Sequence, residues 1–479
     1  MEFKIGNNGL VNVVCAFENE DFLVSEKTKS YIKENELFTG KRQEVFTRLG
    51  PFSENLILLG LGKREEISLE NIRRSFLALG KTLKKNNVKS CNIKVEKIDH
   101  ICYKLTAMAM VEGILNANYV FDKFVKKEKE YSSVVYLDVL EEKKQRVLDG
   151  IKEIETVVEG VFMCRDLVNR PANDIYPETL ANFAKETLEK VGVDVEILEK
   201  KQIESLKMDA FLSVAKGSDL LPKFIIMKYL PNKDEKPIVL VGKGLTYDAG
   251  GLAIKPASGM VDMKTDMAGS ASVISSIYSL AKMKVKRNVI GLVATCENMI
   301  NGSAYRNGDI ISSMKGSSIE VINTDAEGRL TLADAIYYGA SKLNPECIVD
   351  IATLTGACIY ALGSRVIGAV SNNDEMFEKM KESSQYTGEY LWRFPVYEEH
   401  RESVKGKIAD LLNATGPGTG GAITAGVFLE HFTENYPWVH LDIAGPAYSK
   451  NTWGINPEGA SGIPVKTLYN FVKKYNKNK

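Results

Sequence analysis

Apolar and polar positions change period repeatedly along the first third of the chain. Asn55–Gly62, NLILLGLG, is a continuous apolar run closed by a glycine turn and predicts a buried strand. Leu69–Lys85 follows with apolar positions at helical spacing, and Cys91–Val95 returns to strand character. Ser133–Leu140 reads as a further strand. Glu141–Asn169 has one long helical period that stops before Pro171, and Pro177 is placed to open the next helix. Beyond it the runs Pro237–Gly244, Val289–Thr295, Ser318–Asn323, Cys347–Gly356 and Trp438–Gly445 are almost uninterruptedly apolar. Such runs fit strands covered on both faces, with helices between them. The pattern predicts an α/β protein of two domains. A smaller α/β domain spans 1–150, a connecting helix 151–170, and a larger domain 171–479 is built on a mixed, mainly parallel sheet flanked by helices.

In such sheets sites gather beyond the carboxyl ends of strands, so the polar residues after each run are the candidates. The apolar stretch Pro237–Val241 leads into Lys243, Asp248 and Lys255, and further on stand Asp262 and Asp266. The octapeptide NTDAEGRL, Asn323–Leu330, carries Asp325, Glu327 and Arg329. Taken alone, Thr324-x-x-Glu327 reads as a capping box for the helical pattern that follows, and Asp266 as an N-cap. Taken together, Asp248, Asp266, Asp325 and Glu327 converge if their strand ends lie side by side. Close carboxylates repel strongly at low dielectric and call for cations. Two divalent ions sharing bridging carboxylates meet that need.

The remaining composition narrows the chemistry. Basic and acidic residues balance at 62 each, which gives no general pull towards nucleic acid or anionic membrane. No signal-peptide pattern opens the chain and no apolar segment reaches membrane-spanning length, so the expected location is the cytoplasm. The seven cysteines form no C-x-x-C pair and predict reduced thiols. With only four histidines, none at metal-binding spacing, oxygen ligands must dominate any metal site. Gly60-Leu61-Gly62 lacks the third glycine of a dinucleotide fingerprint and reads as a turn.

Three stretches, VGKGLTYDAGGLAIKP, DMKTDMAGSA and NTDAEGRL, together resemble the leucyl aminopeptidase (cytosol aminopeptidase) family. The last is that family's signature octapeptide. Similarity continues through RDLVNRPANDIYPETLA, DIATLTGACIYALG, ADLLNATGPGTGGAITAGVFLEHF and WVHLDIAGPA, about two-thirds of the chain. The departures, Tyr247 for phenylalanine and Ala249 for serine, fall outside the family's ligands. The resemblance implies a tighter metal site of Lys243, Asp248, Asp266 and Glu327. It implies a more exchangeable one of Asp248, Asp325 and Glu327, with Lys255 and Arg329 as catalytic non-ligands. It further implies zinc or manganese, with magnesium or cobalt also suited to the ligands, and a bicarbonate at Arg329. Met263, Thr353, Leu354, Gly356 and Ala444 match the pocket for the first side chain, and Asp266 would assist the substrate's amine. The implied reaction removes leucine-like and other apolar first residues from peptides with a free N-terminal amine, through a hydroxide bridging the metals. The implied assembly is a homohexamer, a dimer of trimers. Hydrolysis of dipeptides such as cysteinylglycine is the alternative at the same site, and an added DNA-binding role is a second, which the neutral charge disfavours.

Overall fold

A computed structural model describes residues 1–50, 54–126, 131–416 and 418–475. The chain divides into two compact units, Met1–Glu159 with Thr452–Pro457, and Gly160–Asn451 with Glu458–Lys479. The first unit holds strands β1 (Glu2–Ile5), β2 (Val11–Ala16), β3 (Val45–Arg48), β4 (Leu56–Gly60), β5 (Ser90–Lys94) and β6 (Val134–Asp138). They form one sheet in the order β1-β6-β5-β2-β4-β3, parallel except for the antiparallel edge strand β3. The helix Leu69–Lys85 starts where Ser68 accepts the Asn71 N–H at 3.2 Å. It buries Ile72, Phe76, Leu79 and Leu83 on one face, as its period predicts.

The second unit contains β7 (Asp194–Leu198), β8 (Lys223–Tyr229), β9 (Ile238–Asp248), β10 (Val289–Asn298), β11 (Ile310–Ser312), β12 (Ser318–Glu320), β13 (Cys347–Ala352), β14 (Ile367–Ser371), β15 (Leu391–Arg393), β16 (Leu411–Leu412) and β17 (Trp438–Asp442). Its main sheet runs β15-β14-β17-β13-β9-β10-β8-β7. The four central strands β17, β13, β9 and β10 are mutually parallel, with antiparallel pairings on either side. Their carboxyl ends therefore open on one side. Helices Ala268–Lys282 and Gly328–Lys342 pack on opposite faces of β9: Gly242 abuts Ser270 on one, and Gly328 meets the Lys243 side chain on the other. Both faces are thus dry, which explains the unbroken apolar runs. The run Ser318–Asn323 is the exception. Only Ser318–Glu320 is extended, and it pairs with β11 and β16 in a separate small sheet, because the chain must turn at once into the octapeptide.

One irregularity decides the site. Lys243 and Asp248 are five residues apart, so plain alternation would send them to opposite faces of β9. The register against β10 slips between Cys296 and Glu297, leaving Thr246 unpaired. This β-bulge shifts the alternation by one, and Lys243 and Asp248 open into the same cavity.

Candidate active site

Beyond the carboxyl ends of β9, β13 and β17 lies a cavity of about 460 Å³. Its wall includes Lys243, Asp248, Lys255, Asp266, Asp325, Glu327 and Arg329. Met263, Thr353, Leu354, Gly356 and Ala444 line it as well, so the residues singled out in the sequence meet there with one exception. Asp262 does not line it; its carboxylate pairs with Lys450 at 3.3 Å.

The Thr324-x-x-Glu327 capping box does not form. The helix begins at Gly328, with Glu327 itself at the capping position, and Thr324 is not part of it. The Thr324 hydroxyl accepts the Ala253 N–H and donates to the Gly250 carbonyl, both at 2.8 Å. It ties the octapeptide to the turn after β9. Asp266 likewise precedes the true N-cap, Met267.

The charges interlock. Lys243 Nζ stands 2.8 Å from Asp266 Oδ2 and 2.9 Å from Glu327 Oε1, and donates to the Thr353 carbonyl at 3.0 Å. Lys255 Nζ stands 2.8 Å from Asp248 Oδ2 and also pairs with Asp325. Thr353 donates its hydroxyl to Asp266 Oδ1 at 2.7 Å. Gly328 permits this packing, because a Cβ there would lie 2.5 Å from Lys243 Cε. Gly250, at φ +87°, lets the turn pass so close that a Cβ would meet Asp325 Oδ1 at 2.9 Å.

Four carboxylates face two lysines. Burial pushes Asp266 and Glu327 above the ordinary carboxylate range, with Asp248 adding to the push and Lys243 resisting it. Asp325 is raised by burial and by Asp248. Burial works against both ammonium groups, but the surrounding carboxylates outweigh it and hold Lys243 and Lys255 above their usual values. Arg329 is lowered to about 10 by its burial, against the pull of Glu327 and Asp442. The repulsion from Asp248 and the raised lysines show a surplus of negative charge among these side chains, whereas the Arg329 shift reflects its burial.

Several supporting residues escaped the sequence reading. Asn413, fully buried, accepts the Ile322 N–H at 2.7 Å, donates to the Asn323 carbonyl at 2.7 Å, and its own carbonyl takes the Arg329 guanidinium at 2.8 Å. Asp442 accepts the Leu354 and Ala444 N–H groups and the Thr355 hydroxyl, fixing two pocket loops. Asn298, at the end of β10, reaches both Asp248 and the octapeptide. A polar residue closing an apolar strand was the available signal, but the expected strand stopped three residues short, at Thr295.

The donor set fits divalent cations. Carboxylate oxygens of Asp248, Asp325 and Glu327 lie within 4.8 Å of one another. Glu327 Oε2 is buried and has no hydrogen-bond partner among the described residues. A buried carboxylate oxygen left in that state is costly unless a cation meets it. Oxygen donors with an adjacent amine suit zinc or manganese.

Models of the cytosol aminopeptidase family match two parts of the chain, the catalytic domain at residues 162–469 and the N-terminal domain at residues 21–129. The chain belongs to the cytosol aminopeptidase family. It is accordingly a metal-dependent aminopeptidase, a hydrolase acting on peptides. It is 46% identical to a probable cytosol aminopeptidase of Clostridium tetani (strain Massachusetts / E88), over the full length of both chains. One from Treponema denticola is 47% identical over 99% of this aminopeptidase and 100% of its own length. Among solved structures, the bottromycin maturation enzyme BotP in complex with Mn superposes with a TM-score of 0.86 at 26% identity, covering 97% of this chain and 99% of that one. No helix among the described residues is long and apolar enough to cross a membrane.

Proposed function

We propose that this aminopeptidase releases leucine-like and other apolar residues from peptides with a free N-terminal amine, using two divalent ions. Lys243, Asp248, Asp266 and Glu327 would hold one ion, and Asp248, Asp325 and Glu327 the other. The carrying observation is the three-carboxylate cluster with an unpartnered Glu327 oxygen. When bound, the ions supply an activated water at neutral pH and polarise the scissile carbonyl. Manganese is the metal in the BotP complex, and zinc suits the same donors.

The chain's own groups do the rest. Lys243 can ligate only as a neutral amine, so loading the site displaces its proton and frees Asp266 and Glu327 from it. Lys255 is not a ligand and stays an ammonium. It donates to the oxyanion that forms on the carbonyl. Asp266 accepts from the substrate's terminal amine, which selects chain ends over internal bonds. The guanidinium fork of Arg329, anchored by Asn413, would hold a planar oxyanion such as bicarbonate, which would supply a proton-transfer group beside the substrate. Met263, Thr353, Leu354, Gly356 and Ala444 wall the space for the first side chain. Apolar pockets discriminate by only about 1–3 kcal/mol per methylene, so breadth is expected. The working form is proposed to be a cytoplasmic homohexamer.

The test is hydrolysis of a leucine anilide before and after chelation, with zinc and manganese restored in turn. Activity should vanish and return with metal, and an N-acetylated leucine anilide should stay intact. Full activity in chelator, or cleavage of the acetylated substrate, would refute the reading.

A further inference from the structure

Resting on that reading of the site, we infer that Asn298 is a positioning residue for the metal centre: its side-chain amide locks Asp248 to the octapeptide so that Asp248 offers one chosen oxygen to the ions.

The sheet register sets this up. Asn298 is the last residue of β10 and stands directly opposite Asp248, the last of β9, because the bulge at Thr246 moves the pairing by one. Without that extra residue, Asn298 would face Tyr247. The Asn298 Nδ2 donates to Asp248 Oδ1 at 2.8 Å and to the Thr324 carbonyl at 3.0 Å. Both acceptors are oxygens, so the amide has one workable orientation, with nitrogen towards them. Its Oδ1 is buried and accepts no hydrogen bond among the described residues, and Asn298 is wholly enclosed. A buried amide that leaves its oxygen without a donor is retained for what its nitrogen does.

Asp248 Oδ1 also accepts the Gly250 N–H at 2.8 Å. With two donors on Oδ1, only Oδ2 remains for the cavity, where Lys255 now meets it. The Thr324 carbonyl is next in the chain to Asp325, so one amide fixes the spacing between a residue shared by both proposed ions and the segment carrying Asp325 and Glu327. Tyr305 supplies the contrast. Its hydroxyl donates to the same Thr324 carbonyl at 2.8 Å, and no hydrogen bond joins it to Asp248.

The test uses full-length protein stripped with chelator and titrated with manganese. Bound metal after dialysis is read by elemental analysis, and the metal-induced rise in melting temperature is read beside it. Asn298→Ala should bind manganese roughly 10–100-fold more weakly, the range for residues that orient a metal ligand. Its metal-free melting temperature should stay close to wild type, and excess manganese should restore turnover. Tyr305→Phe should keep near-normal affinity. Wild-type affinity in Asn298→Ala, or an equal loss in Tyr305→Phe, would overturn the inference. If Asn298→Ala does not fold, Asn298→Ser, which keeps a polar group but cannot span both acceptors, is read against the same outcomes. Failure of the wild-type protein itself to take up manganese would instead overturn the metal reading, and this inference with it.

Discussion

The two units solve the problem of buried charge in opposite ways. In the first, Arg73 and Glu112 meet at 2.5 Å between the helices Leu69–Lys85 and Tyr103–Asn116, and Glu70 stands 3.7 Å from the same guanidinium, so the buried cation is fully matched by anions. In the second, Asp248, Asp266, Asp325 and Glu327 share two lysines, and a Glu327 oxygen is left over. Both sheets are largely parallel and both have glycine-bounded strand ends. The difference lies in the balance of the buried charge. A matched buried pair holds helices together, whereas an unmatched cluster costs stability and persists where something outside the chain completes it.

That contrast can be broken at several points. Removing Asp248, which touches both proposed ions, should do most. Asp248→Ala should lose metal outright and lower kcat/KM on the order of 10³-fold, beyond the roughly 100-fold ceiling typical of a residue that only orients a ligand. Two bound ions and full activity, by elemental analysis and anilide assay, would show that the cluster is not a metal site. Glu112→Ala removes the nearer of the two carboxylates beside buried Arg73, leaving Glu70, and urea unfolding should show a loss of about 1.5–3 kcal/mol, the range for a hydrogen bond to a charged group. Metal content and turnover of the folded fraction should not change. A specific loss of metal in that variant would erase the distinction between the units.

Lys255→Ala sharpens the comparison within the cluster. It should keep both ions while kcat falls roughly 10²–10³-fold, the usual consequence of losing one oxyanion donor. Gly328→Ala presses a methyl against the flexible end of Lys243. A manganese titration should show weakening of about 10-fold at the ion that Lys243 serves, with the other spared.

The smallest effect is expected beneath the site. His440 Nδ1 and Asp350 Oδ1 lie 2.6 Å apart, and Trp438 donates to the other Asp350 oxygen at 2.6 Å. Burial opposes a charge on His440, but Asp350 outweighs it and raises the imidazole above its ordinary value. The folded protein therefore holds a proton that the unfolded chain releases near pH 6.5. This contribution is whole below that pH and fades as pH rises through the folded value. Urea midpoints measured from pH 6 to 9 should fall less steeply in His440→Gln than in wild type. Identical slopes would remove His440 from the balance.

Much of this was legible in the sequence where one principle dominated. The apolar runs at β4, β9, β13 and β17 are strands because both faces are covered, and the helix Leu69–Lys85 follows its period to the residue. The seven polar residues that the cavity brings together, and to which metal and catalytic roles are proposed, could be named from chain positions after strands and from motif resemblance. What stayed hidden depended on register. Nothing in Gly244–Asp248 announces the bulge that turns Lys243 and Asp248 to one side, since it exists only against β10. Asn298 was overlooked because the expected strand ended at Thr295, three residues short of it. The capping-box pattern misled because Thr324 finds Gly250 and Ala253, which are distant in sequence, before it can cap its own helix.

The most direct measurement is anomalous diffraction from crystals soaked in manganese. Two peaks should appear among Asp248, Asp325, Glu327, Asp266 and the Lys243 amine, with Lys255 outside both coordination shells. Crystals that show no peak there at saturating manganese, with Lys243 and Lys255 still bound to the carboxylates, would contradict the claim that these side chains assemble to hold metal.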